Sequence, residues 1–130
     1  ITQILKRFLH NENENSILIV EDNDELRGFI TDLFKNDYVV YTARDGDEGI
    51  LAAFEYIPNI IISDVMMSGM NGFMLREMLK DDDATAKIPF ILMTGMAMNA
   101  GAWKADSHVE YITKPFIMPE LIALIQKKLS

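Results

Sequence analysis

Hydrophobic and polar positions alternate along this chain in blocks, and the blocks change period. Ser16-Ile17-Leu18-Ile19-Val20 is a short continuous apolar run, as expected of a strand covered on both faces. Asp24 to Phe34 follows with Leu26, Phe29, Ile30 and Leu33 at helical spacing, and Asp22 or Asn23 offers a side-chain cap for its first free amides. Tyr38 to Thr42 is rich in β-branched and aromatic residues and predicts a second strand. Gly46 to Tyr56 carries Ile50, Leu51, Ala53 and Phe54 and predicts a second helix. After the Pro58-Asn59 turn, Ile60 to Ser63 is the most apolar strand. Gly69 and Gly72 bracket a loop that leads into a helix through Phe73, Leu75, Met78 and Leu79.

Ile88 to Met93 predicts a fourth strand, with Pro89 tolerable only near its start. Val109 to Ile112 predicts a short fifth strand, and Pro119 to Leu129 a last helix with Pro119 in its first turn. Five strand–helix units imply an α/β fold with a parallel sheet, and right-handed crossovers put helices on both of its faces. Residues 1–15 read differently. Ile1, Ile4, Leu5, Phe8 and Leu9 recur at helical spacing before the polar run Asn11 to Asn15, so a short amphipathic helix and linker are expected ahead of a domain over residues 16–130.

Composition narrows the function classes. A chain of 130 residues fits one hydrophobic core. Its formal net charge of −8 argues against gripping a nucleic-acid backbone directly. With 0 cysteines there is no thiol nucleophile, disulfide or zinc–thiolate site, which fits a cytoplasmic setting. No apolar run reaches membrane-spanning length, and Ile1-Thr2-Gln3 opens neither a signal peptide nor a chain with an initiator Met, so a fragment of a longer protein is expected. The methionines sit mostly in helical or strand patterns and read as core filling, while His10 and His108 lack ligand spacing.

In open parallel sheets, functional groups gather beyond the carboxyl ends of the strands. Here those ends carry Glu21-Asp22, then Asp64, then Thr94-Gly95, then Thr113-Lys114-Pro115. Three carboxylates on one edge repel one another, and a hard divalent ion with oxygen ligands resolves the conflict. Mg2+ suits best, with Mn2+ or Ca2+ able to use the same donors. Lys114 and Thr94 can contact phosphoryl oxygens, leaving one carboxylate to act as a nucleophile that forms an acyl phosphate.

The segments Ile17 to Asn23, Ile62 to Met67, Met93 to Gly95 and Ile112 to Phe116 together resemble the receiver domains of response regulators, across roughly residues 16–130. The resemblance implies a flavodoxin-like fold with strand order 2-1-3-4-5. It also implies a phosphoacceptor role in a two-component, His–Asp phosphorelay. It casts Asp64 as the phosphoacceptor, Glu21 and Asp22 as the acidic pair that holds Mg2+, and the Met66 backbone carbonyl as a further ligand. Thr94 becomes the switch hydroxyl, Lys114 the amine on the phosphoryl group, Lys114-Pro115 a cis peptide and Tyr111 the aromatic reporter of the active state. The donor would be a histidine kinase or phosphotransfer domain. The output face, formed by the fourth helix, strand five and the last helix, would bind an output domain, a partner protein or a second copy.

Leu79-Lys80-Asp81 with Ile88-Pro89 is similar to receivers fused to hybrid sensor kinases. Ser68 and Asn71 depart from the usual Pro and Asp, and Gly95 from a common Ala. The stretch between Thr94 and Lys114 is about two residues short, which predicts a short or irregular fourth helix around residues 95–108. Two rival readings remain: a degenerate receiver that only binds partners, and a Mg2+-dependent phosphatase-like enzyme. The second would want an Asp at the position of Met66.

Overall fold

The computed structural model describes residues 15–95 and 106–129. The predicted N-terminal helix over residues 1–15 lies outside the described residues, apart from Asn15, and so does most of the predicted fourth helix. The described chain runs β1 (Ser16–Val20), α1 (Asp24–Phe34), β2 (Val39–Ala43), α2 (Gly46–Tyr56), β3 (Ile60–Asp64), α3 (Gly72–Lys80), β4 (Phe90–Thr94), β5 (Val109–Thr113) and α4 (Met118–Leu129). All five strands are parallel, in the order β2-β1-β3-β4-β5. This is the flavodoxin-like arrangement expected from the sequence.

Strand periodicity sorts the core into two layers. Leu18, Val20, Ile61, Phe90 and Leu92 face one way and pack with Ala53, Leu75 and Leu79 from α2 and α3. Ile17, Ile19, Ile60, Ile62, Ile91 and Met93 face the other way and pack with Ile30 and Phe34 of α1 and Leu121 and Ile125 of α4. Each fully buried side chain of this kind contributes roughly 1.5–3 kcal/mol relative to exposure. That is why the central strands are apolar on both faces and carry polar groups only at their ends.

Caps fix where the helices begin. Asn23 accepts from the Leu26 amide at 2.8 Å, Asp45 from Glu48 at 2.9 Å and Asn71 from Met74 at 2.9 Å. Between the two N-cap candidates before α1, Asn23 rather than Asp22 does the capping, which leaves the Asp22 carboxylate uncommitted to the helix. Two strands are displaced from the sequence reading. β2 covers residues 39–43, because Val39 pairs with Ser16. β4 begins after Pro89, whose carbonyl accepts from the Ile61 amide at 3.0 Å although its own nitrogen cannot donate.

Candidate functional site

Parallel pairing brings four strand ends to one edge. Val20 is in register with Ser63, Asp64 with Met93, and Thr94 with Thr113. Glu21 and Asp22 therefore emerge beside Asp64, while Lys114 follows directly on the end of β5. Single ligand oxygens of Glu21, Asp22 and Asp64 lie within 4.8 Å of one another, close enough for one metal ion. Glu21 is 1% exposed and Asp64 7%, whereas Asp22 is exposed. Lys114 reaches in from β5, with its Nζ 3.3 Å from Asp64 Oδ1 and 3.5 Å from Glu21 Oε1. Its backbone amide donates to the Thr94 carbonyl at 2.7 Å, which ties β5 to the end of β4.

The remaining site candidates take different places. Thr94 is 3% exposed at the end of β4. The Lys114–Pro115 peptide bond is cis. Tyr111 is half-buried in the middle of β5 and packs against the core layer beneath α2 and α3. Met66 lies in the loop after β3 and is 68% exposed. That loop returns over the site by a close approach: an added Cβ on Gly72 would sit 2.5 Å from the Asp64 carbonyl oxygen. Only a residue without a side chain lets α3 start so near the end of β3.

The electrostatics favour a cation. Glu21 Oε2 accepts from the Asn23 amide at 3.0 Å, but Glu21 Oε1 is buried without a hydrogen-bond partner, and Lys114 approaches it only at ion-pair distance. Burial pushes the Glu21 carboxyl above its ordinary value of 4.5, and the Asp64 charge pushes the same way. The Asn23 amide and Lys114 pull it partly back. Three carboxylates face one ammonium, so the cluster carries excess negative charge and an unsatisfied hard oxygen donor. A divalent ion would answer both needs.

Comparison with known proteins decides the family, because residues 17–126 match the response regulator receiver domain. The chain belongs to the response regulator receiver family. The receiver is 35% identical over 123 residues to hybrid signal transduction histidine kinase D of Dictyostelium discoideum, a match covering 87% of this chain and 7% of that protein. It is 32% identical over 118 residues to the polar-differentiation response regulator DivK of Brucella anthropi, covering 88% of this chain and 96% of DivK. The crystal structure of Vibrio cholerae chemotaxis protein CheY4 superposes with a TM-score of 0.79 at 26% identity, covering 88% of this chain and 98% of that one. Matches to three histidine kinase relatives span only 7%, 9% and 12% of their lengths, so the receiver corresponds to a small part of each. No helix among the described residues is long and apolar enough to cross a membrane.

Two interactions of the fold carried no signal in the sequence pattern. Arg27 donates from Nη1 to the Glu21 carbonyl at 2.8 Å. Arg76 forms a bidentate pair with Asp106, at 2.7 and 3.2 Å. In the sequence Arg27 and Arg76 read as ordinary helix charges, and Asp106 lies outside any helix, just before β5.

The raised Glu21 pKa of the receiver sets a pH dependence. The folded protein holds this proton more tightly than the unfolded chain does. Glu21 therefore favours the fold most below its ordinary value of 4.5, and that contribution is lost as pH rises through the raised value. Glu21→Gln, uncharged and of the same shape, is expected to gain stability relative to wild type as pH rises from about 4 to about 7. Thermal unfolding of both proteins in a chelating buffer checks this. A difference that stays flat with pH would contradict the burial argument.

Proposed function

We propose that this receiver takes a phosphoryl group onto Asp64. The donor is the phosphohistidine of a histidine kinase or phosphotransfer domain, or a small acyl phosphate. An Asp64 carboxylate oxygen attacks phosphorus. The P–N bond to imidazole, or the P–O bond to an acyl group, breaks, and its electron pair stays with the leaving group. Lys114 neutralises charge on the transferred oxygens, and the Thr94 hydroxyl, at the adjoining strand end, donates a hydrogen bond to them. Glu21, Asp22, Asp64 and the Met66 carbonyl are the groups that would hold Mg2+, or Mn2+ or Ca2+ in its place. When bound, the ion supplies positive charge to the phosphoryl oxygens as negative charge spreads over them.

The carrying observation is the convergence of Lys114 Nζ on Asp64 Oδ1 at 3.3 Å and Glu21 Oε1 at 3.5 Å, beside three carboxylates that share one small volume. Beyond that step, the new charge biases a two-state equilibrium. Thr94 and Tyr111 report the active state. The face containing β5, α4 and the preceding segment exchanges an output domain, a partner protein or a second copy. The receiver's similarity to parts of histidine kinases supports a place inside a hybrid sensor kinase of the cytoplasm. Residues 16–130 form the receiver unit, with 1–15 as a linker segment ahead of it.

Intact-mass spectrometry after incubation with acetyl phosphate tests the reading. One added phosphoryl group is expected with Mg2+, none with a chelator, and loss of the adduct in hydroxylamine, which cleaves acyl phosphates. Absence of an adduct with acetyl phosphate and with a panel of phosphorylated kinases would point to a degenerate binding module.

A further inference from the structure

The β1–α1 turn carries Glu21 and Asp22, and its geometry decides where those carboxylates sit. Three bonds hold it: the Glu21 amide donates to the Ala43 carbonyl at 3.0 Å, the Asn23 amide to Glu21 Oε2 at 3.0 Å, and Arg27 Nη1 to the Glu21 carbonyl at 2.8 Å. The third is unusual in its chemistry. Arg27 lies near the start of α1, its side chain only 16% exposed, and its other prong pairs with Asp24. A positive charge is disfavoured near the N-terminus of a helix. It is disfavoured again beside a site that attracts a cation. Asp24 and the nearby carboxylates offset that charge, and what distinguishes Arg27 is that its second prong donates to a backbone carbonyl, the one that precedes Asp22.

We propose that Arg27 is a positioning residue for the cation site, clamping the Glu21–Asp22 peptide so that the two carboxylates converge on Asp64. The Glu21 carbonyl belongs to the same rigid peptide plane as the Asp22 amide. A donor fixed on that carbonyl therefore restrains the backbone of Asp22, whose exposed side chain has no burial to hold it in place. The Asp24 carboxylate keeps the guanidinium aimed and offsets its charge. This inference rests on the reading of Glu21, Asp22 and Asp64 as a cation site.

Geometry and charge predict opposite signs, which makes the proposal easy to break. Arg27→Gln removes a positive charge, so a purely electrostatic role predicts tighter cation binding. A positioning role predicts binding weaker by about tenfold, the lower end of what outer-shell groups control. Arg27→Lys keeps the charge but cannot reach carbonyl and carboxylate together, so it should fall between Arg27→Gln and wild type. The experiment is a direct Mn2+ titration followed by electron paramagnetic resonance, with circular dichroism to verify folding. Weaker binding in folded Arg27→Gln supports the proposal, and equal or tighter binding overturns it. If Arg27→Gln does not fold, Arg27→Lys carries the test: weaker binding supports the clamp, and wild-type affinity overturns it. A wild-type protein that does not bind Mn2+ would remove the cation-site reading itself, an outcome separate from failure of the Arg27 clamp.

Discussion

Asp64→Asn will take up no phosphoryl group from acetyl phosphate under conditions that fully modify the wild type, while remaining folded. The reason lies in the unequal settings of the three carboxylates. Asp64 pairs with Lys114 at 3.3 Å and lies between β1 and β4, whose ends carry the other candidate groups. Glu21 is almost fully buried, and burial pushes it toward its protonated form, which makes it a poor nucleophile. Asp22 is exposed, and no ion pair to Lys114 accompanies it as one does Glu21 and Asp64. An amide at Asp64 keeps the size and removes the nucleophilic charge. It also relieves repulsion on Glu21, so circular dichroism and thermal unfolding should show a fold at least as stable as wild type without added metal. Intact-mass spectrometry reads the result, and an adduct persisting in Asp64→Asn would mean that another residue is the phosphoacceptor.

Arg76→Met will lower stability by about 3 kcal/mol, roughly a 10 °C fall in unfolding temperature for a domain of this size. Arg76 is 4% exposed on α3. Its guanidinium meets Asp106 with two bonds, at 2.7 and 3.2 Å, and a third goes to the Ala86 carbonyl at 2.9 Å. Asp106 also accepts from the His108 amide at 2.9 Å, just before β5 begins. The pair therefore links α3 to the start of the strand that delivers Lys114. Methionine replaces the aliphatic stem but leaves the Asp106 carboxylate partly buried without its main partner, and that is the costly outcome. Asp106→Ala combined with Arg76→Met should cost less than the sum of the single changes, as expected for groups in direct contact.

The sign with pH follows from Asp106. The Arg76 hydrogen bond holds its carboxyl below the ordinary value of 3.8. This contribution is present above that value and is lost as pH falls through the depressed one. The cost of Arg76→Met should shrink in acid, and denaturant melts across pH check both points. A cost below about 1 kcal/mol at neutral pH would place the pair among the weak surface bridges.

Much of the candidate site was legible in the sequence because its logic is one-dimensional. A strand covered on both faces is apolar until near its end, so the polar residues that follow the apolar runs, Glu21 after Val20, Ser63-Asp64 after Ile62 and Thr94 after Met93, mark the edge where the candidate groups gather. The helix starts were readable for the same local reason, since a cap acts within three residues, as Asn23 does on Leu26. The shifts in β2 and β4 show where local reasoning stops. Tyr38 and Ile88 have strand-like side chains, but a strand's limits are set by its neighbours' hydrogen bonds.

The sequence by itself determined the alternation of strands and helices, the two-sided core, and the identities of the groups at the strand ends. Each of these depends on residue type and on neighbours a few positions away. Only the tertiary structure decided that Arg76 pairs with Asp106, 30 residues on, and that Arg27 turns back onto the Glu21 carbonyl. Only it decided that Glu21 is buried with an oxygen that accepts no hydrogen bond while adjacent Asp22 is exposed. Desolvation and long-range pairing depend on distance and on access to water, and the order of residues along a chain encodes neither until the sheet has brought its strand ends together.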